Sequence, residues 1–190
     1  MIKGNLNSKD DLTILVNEKG IQNWEQLMNF VKNIPYGRNS NRTDFSLVIK
    51  ENKGSYSSKH AFLSQIAKLN NIQEVKLILG IYKMNNSNTT GIGDELAKNS
   101  IEYIPEAHCY LKIDEKYLDL TTVDSDFLKL KNDILEEIEI KPEQVADFKV
   151  NFHRNYLKKW VVNSNQKMTF DEIWNIREQC IRNLSKQTSS

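Results

Sequence analysis

Two β-like segments separated by a two-residue turn constrain the fold of this chain more than any other feature. Residues 106–113 and 116–121 flank Asp114-Glu115, and this spacing is typical of a β-hairpin. A turn of this length places residue 113 opposite residue 116. His108 and Asp119 then become diagonal neighbours on one face of the hairpin, within side-chain reach. The hairpin therefore predicts a pairing of two polar residues far from the chain termini.

Segments with apolar residues at helical spacing precede this hairpin in the chain. They predict helices over residues 9–19, 24–34 and 57–70, followed by a strand over 74–82. Ser8 and Asp11 resemble a capping box for the first of these helices.

After the hairpin the same patterns continue. Residues 138–140 are expected to extend the sheet, and Pro142 suits the first turn of a following helix. Thr169 and Glu172 form a capping box for the last helix. Helices at both ends, around a central helix and antiparallel strands, indicate an α+β fold.

Length and composition narrow the functional classes. The 190 residues predict one domain over 1–184 and a disordered tail over 185–190. Lys and Arg number 26 against 25 Asp and Glu, without a basic cluster, which argues against nucleic acid and membrane as partners. Two cysteines, Cys109 and Cys180, make neither a disulfide framework nor a zinc site. With no leader pattern at the start, these features predict a cytoplasmic protein.

Three short segments carry the residues of a candidate active site. They are Gly54-Ser-Tyr-Ser-Ser-Lys-His60 at the start of the central helix, and residues 105–111 and 117–122 on the hairpin. In order and spacing they resemble the transglutaminase-like branch of the papain-like fold, over roughly residues 24–122. The resemblance implies a central helix packed on a small antiparallel sheet. It also implies a Gly-x-Cys at the helix start, a histidine on one strand and an aspartate on the next.

The chemistry of that arrangement follows from elementary physics. The positive end of a helix macrodipole lowers the pKa of a thiol at the helix N-terminus and stabilises the thiolate. His108 takes the role of base in this interpretation, and Asp119 holds its tautomer. The resemblance therefore assigns position 56, His108 and Asp119 to one catalytic triad.

The chain departs from the family at the nucleophile. Matching Gly54 to the family glycine puts Tyr56, and no cysteine, at that position. A phenol has a reference pKa near ~10 and is a poor nucleophile toward amides. Ser57 and Ser58 follow, but each helical step turns the side chain by about 100° away from the direction of Tyr56.

Neither cysteine replaces the missing thiol in this interpretation. Cys109 follows His108 on a strand and so faces the opposite side, and Cys180 lies on the apolar face of the last helix. We therefore expect a domain that has lost cysteine-based acyl transfer and binds a peptide or a small polar ligand. Two alternatives stay open. One is an amide or thioester hydrolase or acyltransferase using Ser57 or water with His108 and Asp119, and the other is a structural module with a vestigial cleft.

Further polar residues complete the set of candidates. Ser57, Ser58, His60 and Arg38 are assigned to ligand binding, although His60 is also consistent with a packing histidine. His153 is predicted to be structural. No ligand-spacing pattern indicates a metal, no cofactor is expected, and the oligomeric state stays open.

Overall fold

The computed structural model describes residues 4–73, 75–164 and 167–187. Helices and a four-stranded antiparallel sheet of order β3-β2-β1-β4 confirm the α+β class. The helices are α1 (Asp11–Asn17), α2 (Trp24–Asn33), α3 (Leu47–Lys50), α4 (Tyr56–Leu69), α5 (Glu95–Lys98), α6 (Asp147–Asn163) and α7 (Phe170–Gln187). The strands are β1 (Val75–Met84), β2 (Ile104–Ile113), β3 (Lys116–Leu118) and β4 (Ile134–Ile140).

The first helix is shorter than predicted and its cap is a different residue. Asp10, not Ser8, is the N-cap, and its carboxylate accepts hydrogen bonds from the backbone N–H groups of Leu12 and Thr13. A carboxylate at this position also interacts favourably with the helix dipole, which explains why it prevails over the serine. Gly20, with φ +78°, follows the helix as expected of a stop signal.

The next two long helices lie where the apolar spacing predicts them. Asn23 caps α2. The helix ends before Pro35, because a proline offers no N–H to continue it. Ser55 caps α4 through a capping box with Ser58. The turn and cap chemistry expected of Gly54 and Ser55 is therefore confirmed.

The hairpin has the predicted register. Ile113 pairs with Lys116, and Leu111 pairs with Leu118. The second strand ends three residues earlier than expected, at Leu118. Asp119 explains the difference, because its carboxylate binds the backbone N–H of Thr121 and bends the chain into a turn.

Two other predicted elements differ from the observed ones at their ends. The strand predicted to begin at Glu74 is observed from Val75, and Glu74 lies outside the described residues. Pro142 begins a short 3-10 helix, and α6 starts only at Asp147. Helix α7 runs to Gln187, so it includes the first part of the predicted tail, while residues 188–190 lie outside the described residues.

The chain divides into two compact units. Unit 1 comprises Met1–Leu79, Cys109–Phe127 and Ile138–Ala146. Unit 2 comprises Gly80–His108, Leu128–Glu137 and Asp147–Ser190.

Each unit has its own apolar residues out of contact with water. In unit 1 these include Trp24, Leu27, Phe62, Leu63, Ile66 and Tyr110. In unit 2 the core cluster includes Met84, Ile92, Ile104, Leu157, Ile173 and Cys180. None of the helices in the described part of the chain is long and apolar enough to cross a membrane.

Candidate functional site

The first turn of α4 holds the residue that the sequence assigns to the nucleophile position. Tyr56 is the first residue of the helix, directly after the N-cap Ser55. The Ser55 hydroxyl accepts from the N–H of Ser58, and the Ser58 hydroxyl lies 2.9 Å from the Ser55 nitrogen. This reciprocal cap satisfies two backbone N–H groups at the start of the helix.

Gly54 is required for space rather than for an unusual backbone angle. It forms a parallel bridge with Tyr36, and its N–H donates to Pro35 O over 3.1 Å. A Cβ at position 54 would lie 2.7 Å from Lys59 Cγ, which is closer than carbon atoms pack, and 3.2 Å from Ser58 Oγ. The glycine of the motif therefore makes room for the stem of Lys59.

Lys59 is a functional candidate that the sequence analysis missed. Its side chain is 0% exposed, and its Nζ donates to Ile34 O over 2.7 Å and to Thr121 O over 2.6 Å. A signal was present in the sequence, because Lys59 precedes Phe62 and Leu63 by three and four residues and so shares their buried helix face.

The environment of this lysine sets its charge state. Burial lowers the pKa of Lys59 to about 8, and the negative charge of Asp119 opposes that shift. A pKa near 8 leaves the ammonium form dominant at neutral pH. Unit 1 thus holds a buried positive charge beside the first turn of α4.

His60 lies next to Lys59 and is also fully buried. The backbone N–H of Leu120 donates to its Nε2 over 2.8 Å, so Nε2 carries a lone pair. The proton is then on Nδ1, which donates to Tyr56 O over 2.6 Å. Asp119 Oδ1 lies 3.8 Å from Nε2, and in this tautomer the two groups do not form an ion pair. Both ring nitrogens bind the backbone, which agrees with a packing role.

Asp119 is nearly buried, with 9% of its surface exposed. Its Oδ1 accepts from the N–H of Thr121 over 3.0 Å and from the Thr121 hydroxyl over 2.5 Å. The turn formed by Asp119, Leu120 and Thr121 is therefore bound at each residue. The Thr121 N–H binds the Asp119 carboxylate, the Leu120 N–H binds His60, and the Thr121 carbonyl binds Lys59.

The structure places the predicted site residues in both units. In unit 1 it brings Tyr56, His60 and Asp119 together through the contacts above, with Ser57 and Ser58 buried in the same helical turn.

Two of the predicted site residues lie elsewhere. Arg38 is on the loop that follows the Tyr36 bridge in unit 1. His108 lies on β2 in unit 2, where its ring packs edge-on against Tyr82 with centroids 6.1 Å apart. The pairing of His108 with Asp119 stays a prediction.

Both cysteines are buried, as predicted. Cys109 and Cys180 are each 0% exposed, and burial raises the pKa of the Cys180 thiol to about 11. A buried thiol with a raised pKa is a poor nucleophile. Over residues 4–73, 75–164 and 167–187, no group of three or more His, Cys, Asp or Glu side chains is arranged to hold a metal ion.

A second buried charge cluster lies in unit 2 and was also missed by sequence reasoning. The Arg177 guanidinium binds both carboxylate oxygens of Glu106, with Nε 2.6 Å from Oε2. His153 donates from Nε2 to Pro105 O over 2.8 Å and lies 3.8 Å from Glu106. Trp174 packs against the rings or planes of both His153 and Arg177.

The charges in this cluster determine its ionisation. Burial alone would raise the pKa of Glu106, but Arg177, with smaller contributions from His153 and Lys149, overcomes it and lowers the pKa to about 2. Burial lowers the pKa of His153, and Glu106 opposes that shift. The expected structural role of His153 agrees with this network, in which its ring serves the packing of unit 2.

Comparison of the chain with protein-family models, with curated proteins and with solved structures gave no match. The transglutaminase-like interpretation therefore depends on the three sequence segments alone.

Proposed function

We propose that the chain is a transglutaminase-like domain that has lost cysteine-based acyl transfer and binds a peptide or small polar ligand at the inherited site. The observation that carries the proposal is Tyr56 as the first residue of α4, directly after the cap of Ser55. This is the position at which the family resemblance requires a thiol. Here it holds a phenol.

The first turn of α4 supports the binding part of the proposal. The cap uses the N–H groups of Ser55 and Ser58, and the positive end of the helix dipole favours acceptor or anionic groups of a ligand. A ligand carbonyl is the group that such donors stabilise in acyl-transfer enzymes. Without a thiolate beside it, the same arrangement binds a carbonyl and leaves its bond intact.

His108 and Asp119 belong to the proposal through the resemblance. The confirmed pairs of the hairpin end at Leu111 with Leu118, one residue before Asp119, so the predicted neighbourhood of His108 and Asp119 depends on the resemblance. In the proposed site His108 is a hydrogen-bonding group for the ligand. It does not deprotonate a nucleophile.

The hydrolase alternative uses Ser57 or a water molecule with His108 and Asp119. Ser57 is 8% exposed and follows Tyr56 within the same helical turn, so its side chain leaves the helix in another direction. This geometry favours the binding function over attack by Ser57. The vestigial-module alternative predicts neither turnover nor ligand binding.

Activity assays separate these functions. The protein is incubated with a glutamine-donor peptide and an amine, and separately with amide and ester substrates. We expect no turnover above that of buffer. Turnover that His108→Ala abolishes would overturn the binding proposal in favour of the hydrolase or acyltransferase.

The variant Tyr56→Cys tests whether the site is an inherited one. The matched control is Phe170→Cys, because Phe170 is likewise the first residue of a capped helix, α7. Both thiols experience a helix dipole, but only position 56 belongs to the proposed triad. We expect iodoacetamide to label Tyr56→Cys at least about tenfold faster near pH 7. We also expect His108→Ala to remove that difference, and equal rates in the two variants would contradict the proposal.

A further inference from the structure

One lysine side chain connects three separate segments of unit 1. Its stem fills the space beside Gly54, and its amine binds the carbonyl groups of Ile34 and Thr121. We propose that Lys59 is a positioning residue of the candidate site, which holds these segments around the first turn of α4 and places a positive charge beside position 56. The inference rests on the proposed function, since it assigns a role within that same site.

The two carbonyl groups need a donor that secondary structure does not supply. Ile34 follows the last residue of α2, where helix carbonyls lack a partner. Thr121 follows the end of β3, where the chain has left the sheet. A buried carbonyl without a donor is destabilising, so the long stem and terminal amine of Lys59 satisfy two such groups at once.

The stem has little freedom to leave this position. Its Cγ lies only 2.7 Å from where a Cβ of residue 54 would be, and its Nζ is bound at the far end. The backbone around Gly54 is itself tied to Pro35 and Tyr36. The position of Lys59 therefore determines how the chain before α4 approaches the helix.

The neighbouring residue strengthens the contact with the Asp119 turn. His60 accepts from the Leu120 N–H while Lys59 donates to the Thr121 carbonyl. Consecutive helix residues thus bind a donor and an acceptor of one turn. Because Asp119 is the first residue of that turn, its carboxylate is positioned by α4.

The charge of Lys59 gives the proposal a consequence beyond packing. Residues three apart on a helix are neighbours on its surface, so Lys59 and position 56 lie on one side of α4. Asp119 is the opposite charge that interacts with the ammonium group, and His60 is neutral in the tautomer that its two hydrogen bonds require. A positive charge on the same side of the helix stabilises an anion at position 56.

The test uses the full chain with Tyr56→Cys as the reporter. The rate of iodoacetamide alkylation is measured against pH in Tyr56→Cys alone and with Lys59→Met or Lys59→Arg. We expect Lys59→Met to move the midpoint of the profile up by about half a pH unit or more, which is about threefold slower labelling below the midpoint. Lys59→Arg is expected to restore the midpoint because it keeps the charge. A midpoint unchanged by Lys59→Met overturns the proposal.

Two controls keep the result specific. Lys59→Met in the Phe170→Cys background is expected to change nothing, whereas an equal shift there would contradict a local role. If Lys59→Met does not fold, Lys59→Gln retains a donor without the charge and is expected to give the same upward shift. His108→Ala is measured in parallel. If His108→Ala leaves the labelling rate unchanged while Lys59→Met shifts the midpoint, the proposed function is contradicted. If Lys59→Met leaves the midpoint unchanged while His108→Ala slows labelling, this inference is contradicted.

Discussion

The two units each bury an ionised side chain, but they stabilise it in opposite ways. In unit 1, Lys59 binds two neutral backbone carbonyls, and its pKa falls to about 8. In unit 2, Glu106 binds the charged guanidinium of Arg177, and its pKa falls to about 2. Burial disfavours the charged form in both cases. The lowered pKa of Lys59 weakens its charge and the lowered pKa of Glu106 strengthens its charge, and this difference comes from their partners.

The different partners of Glu106 and Lys59 indicate different roles for the two buried charges. A charge paired with an opposite charge is held strongly in its ionised form and serves the packing of unit 2. An ammonium group bound to carbonyls keeps its charge at neutral pH only by a small margin. Burying an ammonium group in this way costs free energy of folding that an apolar side chain would not cost. A role for Lys59 at the candidate site is consistent with that cost.

The largest expected effect comes from breaking the pair in unit 2. Arg177→Met leaves the Glu106 carboxylate buried without its guanidinium, and we expect the free energy of unfolding to fall by about 3–5 kcal/mol. Urea unfolding followed by tryptophan fluorescence measures the change.

Arg154→Met is the matched control for this prediction. The Arg154 guanidinium lies 4.8 Å from the Trp174 ring centre, against 5.2 Å for Arg177. The control therefore removes a similar ring contact without removing the partner of Glu106, and we expect a loss of about 1 kcal/mol or less. The double variant Glu106→Gln/Arg177→Met should regain part of the stability, and equal losses for the two arginines would contradict the argument.

Removing the lysine of unit 1 is expected to cost less. Lys59→Met leaves the carbonyls of Ile34 and Thr121 without a donor but also removes a buried charge. These opposing changes give an expected loss of about 1–3 kcal/mol. Lys68→Met, at an exposed position of the same helix, should change the stability by no more than about 0.5 kcal/mol. A loss as large as that of Arg177→Met would remove the contrast between the units.

The space around Lys59 predicts a smaller effect still. Gly54→Ala places a Cβ 2.7 Å from Lys59 Cγ, and since Lys59 is bound at its far end, we expect a loss of about 1–2 kcal/mol. Gly37→Ala is the control, because its Cβ would meet Lys53 Cδ at 3.1 Å and that side chain is half-exposed. Equal thermal shifts for the two variants would show that Lys59 moves freely.

The two units are also expected to differ in pH dependence, with Lys59 acting at alkaline pH and Glu106 at acid pH. The folded pKa of Lys59 is about 8 against an ordinary 10.5, so the unfolded chain binds more protons between these values and stability rises with pH. The slope is at most about 1.4 kcal/mol per pH unit. Lys59→Met should lack this rise, and a wild-type stability that falls over the same range would contradict the assigned shift.

Glu106 sets the limit at acid pH. Its folded pKa of about 2 lies below the ordinary 4.5, so its contribution is complete above pH 4.5 and is lost as the pH falls toward 2. The double variant Glu106→Gln/Arg177→Met should lose less stability over this range than the wild type. Chemical unfolding at several pH values measures both limits.

Much of the candidate site near α4 was predictable from local patterns. The helix start to within one residue, the cap of Ser55 and the hairpin register follow from spacing and turn chemistry, which act over a few residues. Lys59 was missed because its apolar helix position conflicts with the ordinary preference of lysine for water. The conflict itself was the signal that this residue had to find buried acceptors.

The sequence by itself determined the α+β class, the hairpin register and the phenol at position 56, because short-range periodicity and residue identity decide these. Only the tertiary structure decided the partners of the buried charges. Lys59 and Thr121 are separated by 62 positions, and Arg177 and Glu106 by 71. Contacts across such distances depend on how helices and strands pack, and no local pattern specifies that packing.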